Sequence, residues 1–344
     1  MRHEHSEKRI LDPDWNPPEV EYGYDLISKI TDTDEAYVVV TMEIPWNLAK
    51  DKVKRAPKKV VFVRNMHWES VTALEKTIPP VDLVIGLGGG SSHDMAKYVA
   101  LKKDARLIQV PTIISGDASI TDPIGIRDKG KVVYIGHVIC DKIIVDFSLL
   151  RKAPGQLVRY GAGDVLSSHT AIWDWKMACA HGKAEFKPEF YQEARNNLKC
   201  LYDMRFEIRD LSDKGIKTIV ELYRAYARIA GRLGNDRCQE GSEHFFAYNV
   251  EYVTGRQYLH GGLLATGILV MSYIQDNDCE KVKQLMKDMG MEYTLKNISL
   301  TRDEFYKSMM TLKNFVQEGG YYYSVIDEKE ITSGQLEGIY NLIT

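Results

Sequence analysis

The sequence predicts two domains, a parallel α/β domain followed by an all-α domain. Three observations predict this fold class. Up to about residue 150, short β-branched runs alternate with helix-forming stretches. Longer amphipathic segments follow, and a Pro-Gly pair separates these two parts of the chain. A chain of 344 residues is long enough for two domains of ordinary size. We expect the α/β domain over residues 1–152 and the helical domain over residues 153–344.

Four apolar runs in the first half have the composition of strands that are buried on both faces of a sheet. They are AYVVVT at 36–41, KVVFV at 59–63, DLVIGL at 82–87 and RLIQV at 106–110, and further strand-like runs occupy 131–136 and 142–146. The stretches SVTALEKT from Ser70 and HDMAKYVALKK from His93 favour helices. Because strands and helices alternate, the sheet should be parallel.

The second half has the composition of amphipathic helices. Segments such as IKTIVELYRAYARIAGRL from Ile216 and KVKQLMKDMGM from Lys281 are rich in Leu, Ala, Met and Arg. The residue pattern changes near Lys152-Ala153-Pro154-Gly155, where Pro and Gly favour a break between elements. These features predict a helical second domain.

Composition argues against several classes of protein. A net charge of -3 gives no basic excess for nucleic acid or an anionic membrane surface. No apolar run reaches the roughly 18 residues of a spanning helix, and the start, MRHEHSEKRILDPDW, lacks the apolar stretch of a signal peptide. The five scattered cysteines include no CxxC pair and are typical of reduced thiols. We therefore expect a cytoplasmic protein without nucleic-acid or membrane partners.

Residues 81–100, VDLVIGLGGGSSHDMAKYVA, join a buried-strand pattern to a helix through three consecutive glycines. Glycine lets a phosphate approach the main chain, and the helix N-terminus adds partial positive charge. The turn thus favours the pyrophosphate of a nucleotide. The same pattern also suits a plain tight turn that is capped by Ser91 or Ser92. Its spacing differs from GxGxxG and from the P-loop.

Three residues of the second half have the chemistry of ligands for a divalent cation: Asp164, His244 and His260. Two imidazoles and one carboxylate leave coordination positions open for a substrate oxygen and water. No local pattern such as HExxH connects them, and each histidine is also compatible with a structural role. Spacing alone leaves both interpretations open.

Five segments between about residue 36 and the end of the chain resemble segments of a known protein superfamily. They are GGGSSHDMAK at 88–97, PTIISGDASITDP at 111–123, GAGDVLSSHTAIWDWKMA at 161–178, GSEHFF at 241–246 and LHGG at 259–262. In their order and spacing the chain resembles the superfamily of iron-containing alcohol dehydrogenases and dehydroquinate synthases. Within it, the chain is most similar to sn-glycerol-1-phosphate dehydrogenases and glycerol dehydrogenases. The resemblance implies an N-terminal α/β nucleotide-binding domain and an all-α C-terminal domain.

The resemblance also implies roles for individual residues. Asp164, His244 and His260 would bind the metal, with zinc favoured over iron or nickel. Asp117 and Asp164 would be catalytic and would contact substrate together with Tyr248. The cofactor, NAD or NADP, would contact Gly89, Gly90, Ser91, Ser92, His93, Asp94, Thr112, Ser115 and Thr121.

Two positions depart from the pattern of the relatives. Tyr248 stands where relatives usually have a second histidine, four residues after the first histidine ligand. Gly262 replaces the glutamate of their HGE segment, and Glu243 or Glu251 is a candidate replacement for that carboxylate. Exact substrate and choice of cofactor therefore stay open at this point. His93 and His169 also have a structural interpretation.

The function implied by the resemblance is a metal-dependent, NAD(P)-linked dehydrogenase of a small polyol or polyol phosphate. The pair to expect first is glycerol 1-phosphate and dihydroxyacetone phosphate. Two alternatives remain: a cyclase like dehydroquinate synthase that eliminates phosphate, and a non-catalytic descendant that binds a nucleotide. Relatives often form homo-oligomers, so we expect one here.

Overall fold

A computed structural model describes residues 15–128 and 131–344 of the chain. The chain divides into two compact units, Met1–Val158 and Arg159–Thr344. The fold class predicted from the sequence is confirmed, since a parallel sheet with helices is followed by a helical region. The exact domain boundary, placed at residues 152 and 153, stays a prediction. Within the described residues, no helix is both long and apolar enough to cross a membrane.

The first unit contains a six-stranded sheet in which all strands are parallel. The order of its strands is β1-β8-β5-β4-β2-β3. A separate antiparallel pair is formed by β6 and β7. The strands are β1 Val20–Gly23, β2 Tyr37–Thr41, β3 Lys59–Phe62, β4 Leu83–Gly88, β5 Arg106–Pro111, β6 Pro123–Asp128, β7 Lys131–His137 and β8 Lys142–Asp146.

The central strands are apolar because helices cover the sheet. Every residue of β2 and of β4 is buried, which explains their unbroken apolar sequences. The short element Lys50–Lys52 is a 3-10 helix. The α-helices of this part are α1 Leu26–Ile30, α2 Glu43–Ala49, α3 Trp68–Lys76, α4 Gly90–Lys103 and α5 Phe147–Leu150.

The remaining elements are all α-helical within the described chain. They are α6 Gly155–Leu166, α7 Ser168–Ala180, α8 Pro188–Asp203, α9 Arg205–Arg209, α10 Asp213–Leu233, α11 Ser242–Thr254, α12 His260–Gln275, α13 Cys279–Asp288, α14 Arg302–Gly319, α15 Val325–Glu328 and α16 Ser333–Leu342. Local signals set their ends. In α10, for example, the side chain of Ser212 accepts a hydrogen bond from the N–H of Gly215, and Gly234 ends the helix with a φ of 77°.

Helix α12 is the core helix of the second unit. Its sequence, HGGLLATGILVMSYIQ, is apolar on all sides, and nearly every residue after His260 is buried. Such a helix must be surrounded by others, and it packs against α7, α11, α13, α15 and α16. Its first residue, His260, is thereby held in place by a rigid element.

Candidate active site

The glycine turn lies between β4 and α4 and requires glycine at its first position. Gly88 has a φ of 149°, which residues with a side chain rarely adopt. A Cβ atom at Gly89 would be 2.7 Å from Cδ1 of Ile113, which is closer than real carbon atoms pack. At exposed Gly90 a Cβ atom would meet nothing nearer than the Cβ of Ala118, at 3.8 Å. The main chain at Gly90 is therefore accessible.

The first turn of α4 offers backbone donors to a ligand. Gly89 is the N-cap and makes no side-chain capping bond, so neither Ser91 nor Ser92 acts as the cap. The N–H groups of Ser92 and His93 donate to the carbonyl of Gly89 at 3.0 and 3.1 Å. Those of Gly90 and Ser91 lie where an α-helix has no internal acceptor. An anionic oxygen can bind there with help from the helix dipole.

The ring of His93 packs in the sheet core. It is 2% exposed, and its Nδ1 lies 2.6 Å from Oε1 of Gln109 on β5. Since an amide oxygen only accepts, Nδ1 is the donor in this bond. Burial lowers the pKa of His93 to about 4, which keeps the imidazole neutral. This geometry supports the structural interpretation of the side chain, and a cofactor contact by His93 stays a prediction.

Lys97 connects helix α4 to the loop that follows β5. Its side chain is 2% exposed, and its Nζ lies 2.8 Å from Oδ1 of Asp94. The same ammonium donates to the carbonyls of Thr121 and Pro123 at 3.1 and 2.5 Å. Burial raises the pKa of Asp94, and the charge and hydrogen bond of Lys97 oppose that effect. Sequence reasoning did not single out Lys97, although it belongs to the GGGSSHDMAK segment.

The loop after β5 carries the other predicted cofactor residues, and its first residue lies next to the glycine turn. The N–H of Thr112 donates to the carbonyl of Gly88 at 2.8 Å, because β4 and β5 end side by side. The N–H of Thr121 donates to the carbonyl of Asp117 at 3.1 Å, which closes a turn. Ser115, Asp117 and Thr121 are half-buried. Thr112 thus lies at the carboxyl ends of two parallel strands, where α/β sheets bind ligands.

The second unit brings Asp164, His244 and His260 together. Their potential ligand atoms all lie within 4.8 Å of one another. Oδ1 of Asp164 is 3.8 Å from Nε2 of His244 and 3.6 Å from Nε2 of His260. Asp164 and His244 are buried, whereas 43% of the His260 side chain is exposed. One edge of the cluster is therefore accessible to a small molecule.

Glycines allow the helices that carry Asp164 and His260 to approach each other. A Cβ atom at Gly163 would be 2.8 Å from the carbonyl oxygen of Gly261. One at Gly262 would be 2.9 Å from Cζ of Tyr160, so this ring fills the space beside Gly262. A glutamate at this position would not fit here without displacing Tyr160.

Glu243 orients His244. It is fully buried, and its Oε1 lies 2.8 Å from Nδ1 of His244, which leaves Nε2 facing Asp164. Glu243 also accepts hydrogen bonds from the N–H of Gly241 at 2.8 Å and from Oγ1 of Thr170 at 2.6 Å. Glu251, the other candidate carboxylate, instead accepts from the N–H of Tyr258 at 3.1 Å. A carboxylate behind a histidine ligand fixes its tautomer and strengthens its basicity.

Tyr248 and Glu240 form a pair beside the cluster. The hydroxyl of Tyr248 donates to Oε1 of Glu240 at 3.0 Å, and the ring of Tyr248 lies 6.0 Å from that of His244. Burial raises the pKa of Glu240, which the positive charge of His244 and the bond from Tyr248 oppose. Sequence reasoning missed Glu240, and its position four residues before His244 was the available signal.

The electrostatics of the cluster suit a divalent cation. Burial lowers the pKa of His244, but the hydrogen bond and charge of Glu243, with the charges of Glu240 and Asp164, outweigh burial and raise the pKa to about 9. Negative charge thus surrounds imidazole nitrogens that are already close together. Two imidazoles and a carboxylate are the donor set of open catalytic sites. The residues present therefore fit a transition-metal ion.

Comparison with known proteins gives consistent matches. A family model described as iron-containing alcohol dehydrogenase matches residues 24–154. A glycerol-1-phosphate dehydrogenase of Hyperthermus butylicus is 30% identical over 76% of this chain and 76% of its own length. One of Sulfurisphaera tokodaii is 27% identical over 92% of this chain and 93% of its own. The crystal structure of glycerol dehydrogenase from Schizosaccharomyces pombe shares the fold, with a TM-score of 0.71 at 18% identity over 97% of this chain and 92% of that one.

Proposed function

Because the chain belongs to the family of iron-containing alcohol dehydrogenases and is an NAD(P)-linked dehydrogenase, we propose that it interconverts glycerol 1-phosphate and dihydroxyacetone phosphate. The observation that carries the proposal is the convergence of Asp164, His244 and His260 within 4.8 Å. The names of its relatives supply glycerol 1-phosphate, and oxidation of its secondary hydroxyl gives dihydroxyacetone phosphate.

The glycine turn would bind the pyrophosphate of NAD or NADP. The N–H groups of Gly90 and Ser91 would donate to its oxygens, because no internal helix acceptor uses them. Thr112, Ser115 and Thr121 would contact the cofactor from the loop that borders the turn. Asp94, which is paired with Lys97, would lie on the nicotinamide side of the bound cofactor.

Asp164, His244 and His260 would hold the metal ion, and zinc suits this donor set, with iron or nickel as alternatives. A bound divalent cation is a Lewis acid that makes a substrate hydroxyl more acidic, and the nicotinamide accepts or supplies the hydride. Glu243 would keep the Nε2 atom of His244 directed at Asp164 throughout.

The other residues would orient the substrate and move its proton. The carboxylate of Asp117 would accept the proton of the substrate hydroxyl and return it in the reverse direction. The phenol of Tyr248 would contact the substrate, and its bond to Glu240 would fix its direction. We further propose that the protein acts as a homo-oligomer in the cytoplasm.

The experiment combines metal analysis of the purified protein with NADH and NADPH oxidation in the presence of dihydroxyacetone phosphate. Wild type is compared with His260→Ala and with His67→Ala, which alters an exposed histidine of the first unit. We expect metal and turnover in wild type and in His67→Ala, and loss of both in His260→Ala.

Other substrates separate the alternatives. Turnover of dihydroxyacetone or a small aldehyde, without turnover of dihydroxyacetone phosphate, would support dehydrogenase activity but contradict the proposed substrate. Release of inorganic phosphate without net NADH consumption would indicate the cyclase. Absence of metal from wild type would contradict the proposed site.

A further inference from the structure

A cavity lies in the helical unit, and none of Asp164, His244 and His260 lines it. Its volume is about 880 Å³, within the range of roughly 300–1,000 Å³ that small-molecule sites occupy. Helices α7, α8 and α13 contribute most of its lining. The function proposed above does not use this cavity.

The lining of the cavity is largely apolar. On α7 it includes Ile172, Trp173 and Met177, of which Trp173 and Met177 are four positions apart and lie on the same face. Leu198 comes from α8 and Val282 from α13. Trp173, Met177 and Leu198 are half-buried, and covering their exposed parts with the hydrocarbon part of a ligand would be favourable.

Positive charge borders the same cavity. Its lining includes four cations, Lys176, Arg195, Lys199 and Lys281, against one carboxylate, Asp278. Lys199 is paired with Asp203 at 2.6 Å, but the other three cations make no ion pair within the described part of the chain. The whole chain has a net charge of -3, so this concentration of positive charge is local. It would attract an anionic group.

Two lining residues of the cavity, His169 and Asn277, are joined by hydrogen bonds. Nε2 of His169 lies 2.9 Å from the carbonyl oxygen of Asn277, and Nδ2 of Asn277 donates to the carbonyl of His169 at 3.2 Å. These bonds tie α7 to the segment before α13. A ligand would therefore enter a site with preformed walls, which lowers the ordering cost of binding.

We propose that this cavity binds an amphiphilic anion, an apolar chain that ends in a phosphate or carboxylate. The apolar chain lies along Ile172, Trp173 and Met177, and the anionic group pairs with Arg195 and Lys281. This combination uses both features of the lining. Inorganic phosphate lacks the apolar part, and a neutral detergent lacks the charge.

The test is isothermal titration calorimetry of the full-length protein with dodecyl phosphate below its micelle concentration. Dodecyl maltoside and inorganic phosphate are titrated in parallel. We expect saturable binding of one dodecyl phosphate per chain, at least tenfold tighter than either comparison compound. Fluorescence of Trp173 should change on binding, and Trp173→Phe should lose that change while binding persists.

Variants distinguish this cavity from other surfaces. Arg195→Glu combined with Lys281→Glu should weaken binding at least tenfold, and both residues are exposed, so the fold should persist by circular dichroism. Lys307→Glu alters an exposed lysine of α14 outside the cavity and should leave binding unchanged. Equal binding of the neutral detergent, absence of saturable binding to wild type, or equal loss in Lys307→Glu would each overturn the proposal.

Discussion

Gly163 approaches Gly261 so closely that a Cβ atom at position 163 would lie 2.8 Å from the carbonyl oxygen of Gly261. The partner atom belongs to the backbone of α12, so it cannot move aside as the end of a flexible side chain can. Asp164 and His260 directly follow and precede these two glycines in sequence. The close contact between α6 and α12 and the short distance between Asp164 and His260 therefore depend on each other.

Gly163→Ala should lower both stability and metal affinity, because the added methyl would push α6 away from α12. Overpacking of this kind costs about 1–3 kcal/mol of unfolding free energy. Urea unfolding and metal analysis measure the two effects. Gly334→Ala is the matched control, since a Cβ atom added at this helical glycine would meet no other atom within 4 Å. Unchanged stability and metal content in Gly163→Ala would contradict the role of the contact.

Glu243→Gln should weaken metal binding by about 10- to 100-fold, the usual effect of losing a carboxylate behind a histidine ligand. The N–H of Gly241 and Nδ1 of His244 share Oε1 of Glu243, and the hydroxyl of Thr170 donates to Oε2. An amide could keep the first two bonds but removes the negative charge that strengthens the basicity of His244. Competition with a chromogenic chelator measures the affinity. Glu251→Gln, on the same helix, should bind metal as wild type does. A similar loss in both variants would indicate a general effect of charge.

The parallel sheet could be predicted because buried strands leave unbroken apolar runs, as in β2 and β4. The sequence does not predict β1, since its residues VEYG are only half-buried and it pairs with β8 alone. In β6, Ile124 and Ile126 are buried and alternate with less buried residues. That alternation was a usable signal for a strand.

The candidate site, like the fold, could be predicted only in part from the sequence. Short segments indicated Asp164, His244 and His260, but no spacing shows that Tyr160 fills the space beside Gly262, because the two lie on different helices. Glu243 is a sequence neighbour of His244, yet Glu243 and Glu251 could be told apart only by their hydrogen bonds. Contacts that depend on how helices cross cannot be predicted from the local sequence of either helix.

Tyr248→Phe should raise the KM for the substrate about two- to tenfold, as expected for one hydrogen bond of about 0.5–1.5 kcal/mol. The ring would keep its contacts with His244 and Tyr321, so metal content should not change. Steady-state kinetics with dihydroxyacetone phosphate measure the effect. Tyr252→Phe, one turn further along α11, should leave KM unchanged. An unchanged KM in Tyr248→Phe would mean that the phenol does not contact substrate.

Asp174 should make stability depend on pH. Its carboxyl is buried and accepts hydrogen bonds from the N–H groups of Ser242 and Val325 at 2.9 and 2.8 Å. Burial raises the pKa of Asp174 from 3.8 to about 7, although these bonds oppose the shift. Between these two values the folded state holds a proton that the unfolded chain has released. The contribution of Asp174 to the free energy of unfolding therefore falls as pH rises from about 4 to about 7.

The contribution of Asp174 to that fall is on the order of 4 kcal/mol, since one pKa unit corresponds to about 1.4 kcal/mol. Asp174→Asn removes the titrating group and, because its amide nitrogen faces a backbone donor, costs about 1–3 kcal/mol independently of pH. Urea unfolding of both proteins at pH 5, 6 and 7 isolates the effect. The stability advantage of wild type over Asp174→Asn should shrink as pH rises. An advantage that stays constant or grows would show that Asp174 is ionised throughout this range, with its two backbone bonds outweighing burial.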